Sequence, residues 1–109
     1  LANRSRLELM GESGVTVERI IMIGGGASSA VWPHIVADTA GTPVVRPPVT
    51  EAACTGAAIL AGLGSGLYPS VESVLENVTE VVEPIGPDPE RKNAYDELFT
   101  RYLNLARTL

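Results

Sequence analysis

Three consecutive glycines, Gly24, Gly25 and Gly26, are the residues of this chain best suited to binding a ligand. Glycine has no Cβ, so its backbone can adopt positive φ angles and approach another molecule closely. The glycines are followed by Ala27, two serines and a helical pattern. The first N–H groups of a helix lack partners within it, so they can bind anionic oxygens. A glycine turn that leads into a helix therefore predicts a nucleotide-binding site.

The segments on either side of the turn predict a β-α-β unit. Residues 19–23 contain four apolar residues in succession, which is typical of a strand covered on both faces, as in a parallel sheet. A helix is predicted from its cap, Ser29, to residue 40, with Pro33 in its first turn and Gly41 beyond its end. Residues 42–48 hold a second strand closed by two prolines, and a helical crossover makes the two strands parallel.

The rest of the chain has a mainly helical pattern, which leaves the sheet short of strands. Two strands alone are marginal in water, so we expect the missing strands to come from sequence outside this chain. The chain also starts with leucine and not with methionine, which favours a piece of a longer polypeptide. Further helices are predicted at residues 1–11, at 51–62 after a cap at Thr50, at 70–78, and from the Asp88 cap to the end, with an extended segment at 79–83.

Composition excludes several classes of protein. With 109 residues and 45% hydrophobic content, the chain has the size and composition of one globular domain. A net charge of −5 without a basic cluster excludes a nucleic-acid binder. No apolar run approaches the roughly 20 residues of a membrane span, and no signal peptide is evident, so we expect a cytoplasmic protein without membrane contact. The single Cys54 excludes an internal disulfide and a multi-cysteine metal site.

Four other residues have side chains that could take part in a site. His34 has no second histidine nearby, and we expect it to be solvated or to cap its helix. Cys54 lies in an alanine-rich helix, where a packed thiol is expected, and Trp32 is expected to anchor its helix to the core. Glu51 could order a nucleotide site, but the helix dipole alone also favours an acidic residue in the first turn, and both interpretations remain open.

The order of these motifs resembles the C-terminal domain of the FGGY carbohydrate kinases, and within that family it is most similar to the xylulose kinases. The resemblance implies an α/β fold with few parallel strands flanked by helices, as part of an actin-like, ribonuclease H-like ATPase domain. Residues 1–109 would then form part of the C-terminal domain of a two-domain sugar kinase. The resemblance rests on residues 24–27, 38–45, 51–53, 56–58, 66–68, 95–99 and 101–102, together with Trp32.

The same resemblance implies a function. The full-length enzyme would use ATP and Mg²⁺ to phosphorylate a pentulose, most simply D-xylulose to D-xylulose 5-phosphate. The catalytic aspartate, the metal ligands and the sugar-binding residues of the family precede this segment. No catalytic or metal-binding residue is therefore expected here, and the fragment alone should be inactive. The full-length protein is also expected to be a homo-oligomer. Nucleotide contacts are implied for Gly25, Gly26, Ala27, Ser29 and Ala30. If Gly26 brings the backbone close to the nucleotide, we also expect it to need a positive φ, because glycine adopts such angles readily.

Two departures and two alternatives accompany this interpretation. Residue 28 is often basic in xylulose kinases and is Ser28 here, and Ala30 stands where they often have proline and glycerol kinases have asparagine.

One alternative is an NAD(P)-binding module, because residues 24–29 nearly fit the G-x-G-x-x-G/A pattern and Arg46 follows at about the distance of a 2′-phosphate ligand. The other is a non-catalytic actin-like ATPase such as a heat-shock chaperone, against which the tyrosine-containing last helix argues.

Overall fold

The computed structural model of the protein describes residues 1–48, 51–78 and 83–109. In these ranges the chain forms helices α1 to α5, two short strands and one 3₁₀ turn. The predicted cap at Thr50 and residues 79–82 of the predicted extended segment at 79–83 lie outside the described residues. The elements are α1 (Ala2–Glu12), β1 (Ile20–Ile21), the 3₁₀ turn (Gly25–Ser28), α2 (Trp32–Ala40), β2 (Val44–Val45), α3 (Ala52–Gly64), α4 (Val71–Val78) and α5 (Pro89–Thr108).

The predicted β-α-β unit is confirmed, with shorter strands than the sequence indicated. Strands β1 and β2 are parallel, with Ile20 opposite Val44 and Ile21 opposite Val45. The Ile20 N–H donates to the Pro43 carbonyl, and the Met22 N–H donates to the carbonyl of Val45, both at 2.9 Å. On its other side, Val44 forms an antiparallel bridge with Ile85. The strands are short because β1 has one neighbour in the described chain and two prolines follow β2.

Local capping chemistry explains where the helices begin and end. The Ser29 hydroxyl accepts hydrogen bonds from the N–H groups of Val31 and Trp32, so α2 begins at Trp32, later than predicted. Gly41 ends α2 with a φ of 66°, as glycine does at many helix ends. The Asp88 carboxylate accepts from the N–H groups at positions 90 and 91, which confirms the predicted cap of α5.

The core lies where α2, β2 and α5 meet. Helix α2 has a buried side, formed by residues 33 and 37–39, and α5 packs against α2. A carboxyl side chain, Asp38, is 1% exposed within this core, so its oxygens need hydrogen-bond donors there. The buried apolar residues of the described chain are Ala27, Ala37, Val44, Val74 and Phe99.

Strand β1 has an uncovered side. Ile21 is 60% exposed and Ile23 is 54% exposed, although the sequence pattern predicts a strand covered on both faces. A groove of about 480 Å³ runs along β1 between α1 and α2. Because the N–H groups of Ile20 and Met22 point to β2, the backbone groups of Ile21 point to the opposite edge. This edge is the incomplete side of the sheet that the strand count predicts.

Two predicted side-chain environments are wrong. Trp32 is 46% exposed and does not anchor α2 in the core. Cys54 is an exposed free thiol, because in the described chain only Gly62 of α3 is buried and no layer covers the rest of that helix. His34 is exposed, as expected for a solvated residue, and Glu51 is exposed ahead of α3 without a side-chain capping bond.

None of the helices in residues 1–48, 51–78 and 83–109 has both the length and the apolar character needed to span a membrane.

Candidate functional site

The glycine turn lies at the carboxyl end of β1 and is held by its own backbone. Gly24 has a φ of 83° and a ψ of −169°, a conformation that side chains rarely allow. The Ala27 N–H donates to the Gly24 carbonyl at 3.1 Å, and the Ser29 N–H donates to the Gly26 carbonyl at 3.2 Å. The positive φ therefore falls on Gly24, and the expectation of a positive φ at Gly26 is wrong.

Two adjacent N–H groups of the turn are available to a ligand. Gly25 and Gly26 are exposed, and neither N–H group has an acceptor among the residues that the structure describes. A Cβ added at Gly25 would meet no described atom within 4 Å. A Cβ added at Gly26 would lie 3.1 Å from Cδ1 of the exposed Trp32 ring. Gly25 thus faces open space, and Gly26 is partly shielded by the indole.

The other predicted contact residues continue the turn. Ala27 is 1% exposed, so its side chain packs inward and cannot touch a ligand. The Ser29 hydroxyl is occupied by two backbone N–H groups of the following helix start. Ala30 is exposed and lies at the edge of a shallow cavity of about 360 Å³, which His34 and Arg91 also line. The turn therefore offers backbone groups and open space, and few side-chain functional groups.

Arg46 connects the second strand to the turn. It follows β2 directly, and its Nη1 donates to the Ala27 carbonyl at 3.2 Å. Since the carboxyl ends of parallel strands meet at one edge of a sheet, a cation just after β2 can reach the turn just after β1. Sequence reasoning considered Arg46 only as a 2′-phosphate ligand and missed this contact. The parallel β-α-β pattern could have indicated it.

An ion pair between the buried Asp38 and the exposed Arg91 holds α5 against α2 beside this site. Asp38 accepts hydrogen bonds from the Asp88 N–H and from Arg91 Nε, each at 2.7 Å. The Asp38 carboxylate raises the pKa of Arg91 by accepting its hydrogen bond. The hydrogen bond from the Arg91 N–H lowers the pKa of Asp88, the cap of α5. The start of α5 is thereby fixed to the helix that follows the glycine turn.

A second polar cluster joins α1 to α5. Arg4 donates to Asp96 at 2.6 Å and to the Thr39 carbonyl at 3.4 Å, and its guanidinium carbon lies 4.3 Å from the centre of the Phe99 ring. The hydrogen bond from Lys92, followed by that from Arg4, lowers the pKa of Asp96. This cluster orients α1 and α5 around α2.

The described residues contain no group of three or more histidine, cysteine, aspartate or glutamate side chains that could hold a metal ion.

Comparison with known proteins assigns the family. The model of the FGGY family of carbohydrate kinases, C-terminal domain, matches residues 1–65. The chain belongs to the FGGY family of carbohydrate kinases. This membership confirms the family resemblance drawn from the order of motifs. It also decides against a dinucleotide-binding module and against a chaperone-type ATPase.

Similar proteins extend beyond the part matched by the family model. An autoinducer-2 kinase from Enterobacter sp. (strain 638) is 39% identical over 90 residues, which are 83% of this chain and 17% of that protein. An autoinducer-2 kinase from Klebsiella pneumoniae subsp. pneumoniae is 38% identical over the same shares. The chain therefore spans 17% of the length of the curated relatives that it matches.

A solved structure supports the fold. The crystal structure of ligand bound xylulose kinase from Lactobacillus acidophilus matches with a TM-score of 0.66 and 22% identity, over 84% of this chain and 19% of that one. At this identity the match concerns the fold alone. It agrees with the predicted small parallel sheet flanked by helices in an actin-like, ribonuclease H-like domain. The resemblance to xylulose kinases in particular is not confirmed, since the relatives named above are autoinducer-2 kinases.

Proposed function

We propose that this chain supplies part of the ATP site of a full-length FGGY carbohydrate kinase. The observation that carries the proposal is the pair of exposed N–H groups at Gly25 and Gly26, which lie at the carboxyl end of a parallel strand and have no acceptor among the described residues. In open α/β sheets, ligands bind outside the carboxyl ends of the strands. Anionic oxygens are suitable acceptors for backbone N–H groups that point in one direction.

The predicted contacts differ in the kind of group they offer. Gly25 and Gly26 would bind the nucleotide through N–H groups, and Ala27 would act only by shaping the backbone because its side chain is buried. Ser29 would hold the start of α2, since its hydroxyl is already bonded. Ala30 would border the nucleotide without a polar contact.

The remaining parts of the proposed enzyme lie elsewhere in the full-length protein. We propose that residues 1–109 all belong to its C-terminal domain, because the similar xylulose kinase structure matches 84% of the chain. The catalytic aspartate, the Mg²⁺ ligands and the sugar-binding residues would come from other segments. Phosphoryl transfer depends on positioning and on charge stabilisation by the metal, so the fragment alone should not catalyse it.

Two acceptor substrates are candidates. D-xylulose is the pentulose that the resemblance of the motifs implies. Autoinducer-2 is the second candidate, because proteins named autoinducer-2 kinase are 38% and 39% identical to this chain. In both cases the full-length protein would transfer phosphate from ATP to an alcohol group, and the residues that choose between the acceptors lie outside this chain.

Steady-state assays of the full-length protein test this function. ATP consumption should depend on adding one of the two acceptors, with Mg²⁺ present, and the 109-residue chain should show none. Binding of ATP should be measured alongside binding of NADP⁺. A folded full-length protein that binds NADP⁺ and not ATP would contradict the proposal. So would a protein in which neither acceptor causes ATP consumption.

A further inference from the structure

We propose that Arg46 is a positioning residue for the nucleotide, acting through the backbone of the glycine turn. This inference rests on the ATP site proposed above. Arg46 Nη1 donates to the Ala27 carbonyl at 3.2 Å, and Ala27 is almost fully buried. Because a buried carbonyl needs a hydrogen-bond donor, this guanidinium group satisfies an acceptor for which the described residues supply no other donor.

The hydrogen bond fixes the turn at the end nearer α2. Ala27 is also held through its N–H, which donates to the carbonyl of Gly24 at 3.1 Å. Gly25 and Gly26, the two residues with available N–H groups, lie between Gly24 and Ala27, which this bond joins. Glycine has a wide range of accessible backbone angles, so this pair needs external restraint to keep its N–H groups pointing at a ligand. Arg46 supplies that restraint from the neighbouring strand.

Among the residues that the structure describes, no acidic side chain neutralises the charge of Arg46. No carboxylate in the described chain forms an ion pair with Arg46. By contrast, Arg4 and Arg91, which contact or belong to α5, both have acidic partners. A half-buried cation beside two free N–H groups favours an anionic ligand more strongly than an exposed cation would. The two contributions, restraint and charge, can be separated by substitution.

The test uses four forms of the full-length protein: wild type, Arg46→Met, Arg46→Lys and the control Arg107→Met. Arg107 is exposed in the last turn of α5 and forms no ion pair in the described chain. Calorimetry gives the Kd for ATP at two salt concentrations, kinetics give the KM for the acceptor, and melting gives Tm. Arg46→Met removes both charge and donor, whereas Arg46→Lys keeps the charge without the planar donor group.

The expected result is a graded loss confined to the nucleotide. Arg46→Met should raise the Kd for ATP about tenfold and Arg46→Lys about threefold, sizes typical of losing one charge-assisted hydrogen bond in full or in part. Arg46→Met should also reduce the salt dependence of the Kd, which a merely structural role would not change. The acceptor KM and the Arg107→Met values should match the wild type within about twofold.

The outcomes separate this inference from the proposed function. A wild type that binds ATP, with both Arg46 variants folded and within twofold of its Kd, would overturn the role of Arg46 and leave the ATP site standing. A folded wild type without ATP binding would overturn both. If Arg46→Met does not fold, Arg46→Lys decides alone. An unchanged Kd for ATP in the folded Arg46→Lys variant then overturns the inference, and a Kd raised about threefold supports it.

Discussion

Replacing Asp38 with alanine should detach the start of α5 from α2. Asp38 is 1% exposed and accepts hydrogen bonds at 2.7 Å from the Asp88 N–H and from Arg91 Nε. Alanine removes both acceptor oxygens and leaves the backbone donor without its partner. The Arg91 side chain is 59% exposed, so water can replace its bond, and we assign no energy to that part.

The cost follows from the remaining bond. A hydrogen bond from a backbone N–H to a buried carboxylate contributes about 1.5 to 3 kcal/mol, and we take about 2 kcal/mol for Asp38→Ala. This corresponds to about a 30-fold change in the folding equilibrium constant. Asp38→Asn keeps one carbonyl oxygen for the Asp88 N–H, so it should cost about 1 kcal/mol or less.

Urea denaturation followed by far-ultraviolet circular dichroism measures these changes in the 109-residue chain, at a protein concentration where sedimentation shows a monomer. Glu97→Gln is the matched control, because Glu97 is an exposed acid on α5 without an ion pair in the described chain. The expected order of stability is wild type and Glu97→Gln, then Asp38→Asn, then Asp38→Ala. If Asp38→Ala has the urea midpoint of the wild type and the same dependence of unfolding free energy on urea, the hydrogen bonds to Asp38 do not hold α5 in place.

Two further predictions concern acid and self-association. The lowered pKa of Asp96, caused first by Lys92 and then by Arg4, means that the unfolded chain binds a proton before the folded chain does. Tm should therefore fall as pH drops below about 4, and Asp96→Asn should reduce the dependence of Tm on pH in that range. An equal pH dependence of Tm in the wild type and the variant would refute this prediction. The open edge of β1 should make the 109-residue chain marginally stable or self-associating. Ile21→Lys should reduce the sedimenting mass of any oligomer, whereas a wild-type monomer with a cooperative, high-temperature melt would contradict the prediction.

The features predicted correctly from the sequence are those that local chemistry determines. The cap at Asp88 and the helix end at Gly41 each depend on one residue and its immediate neighbours. The parallel pairing of the two strands follows from the helix between them. Three adjacent glycines, by contrast, are chemically identical, so the sequence could not show that the positive φ belongs to Gly24.

The features that were missed depend on residues far apart in sequence. Asp38 and Arg91 are 53 residues apart, and Arg46 is 19 residues from Ala27, so no local pattern pairs them. Exposure was misjudged at Trp32 and Cys54 because burial depends on which neighbours cover a side chain. An apolar pattern indicates a side that can be buried, but it does not identify the segment that covers it.

The ATP affinity of a Gly25→Val variant of the full-length protein tests the central claim most directly. A Cβ at Gly25 meets no described atom within 4 Å and its φ is not positive, so folding should be unaffected. Gly26→Val is a less clean test because it must displace the Trp32 ring. If the turn binds ATP, Gly25→Val should raise the Kd for ATP at least about tenfold, with Tm and acceptor KM unchanged. A folded Gly25→Val protein with wild-type ATP affinity would show that the nucleotide does not bind at this turn.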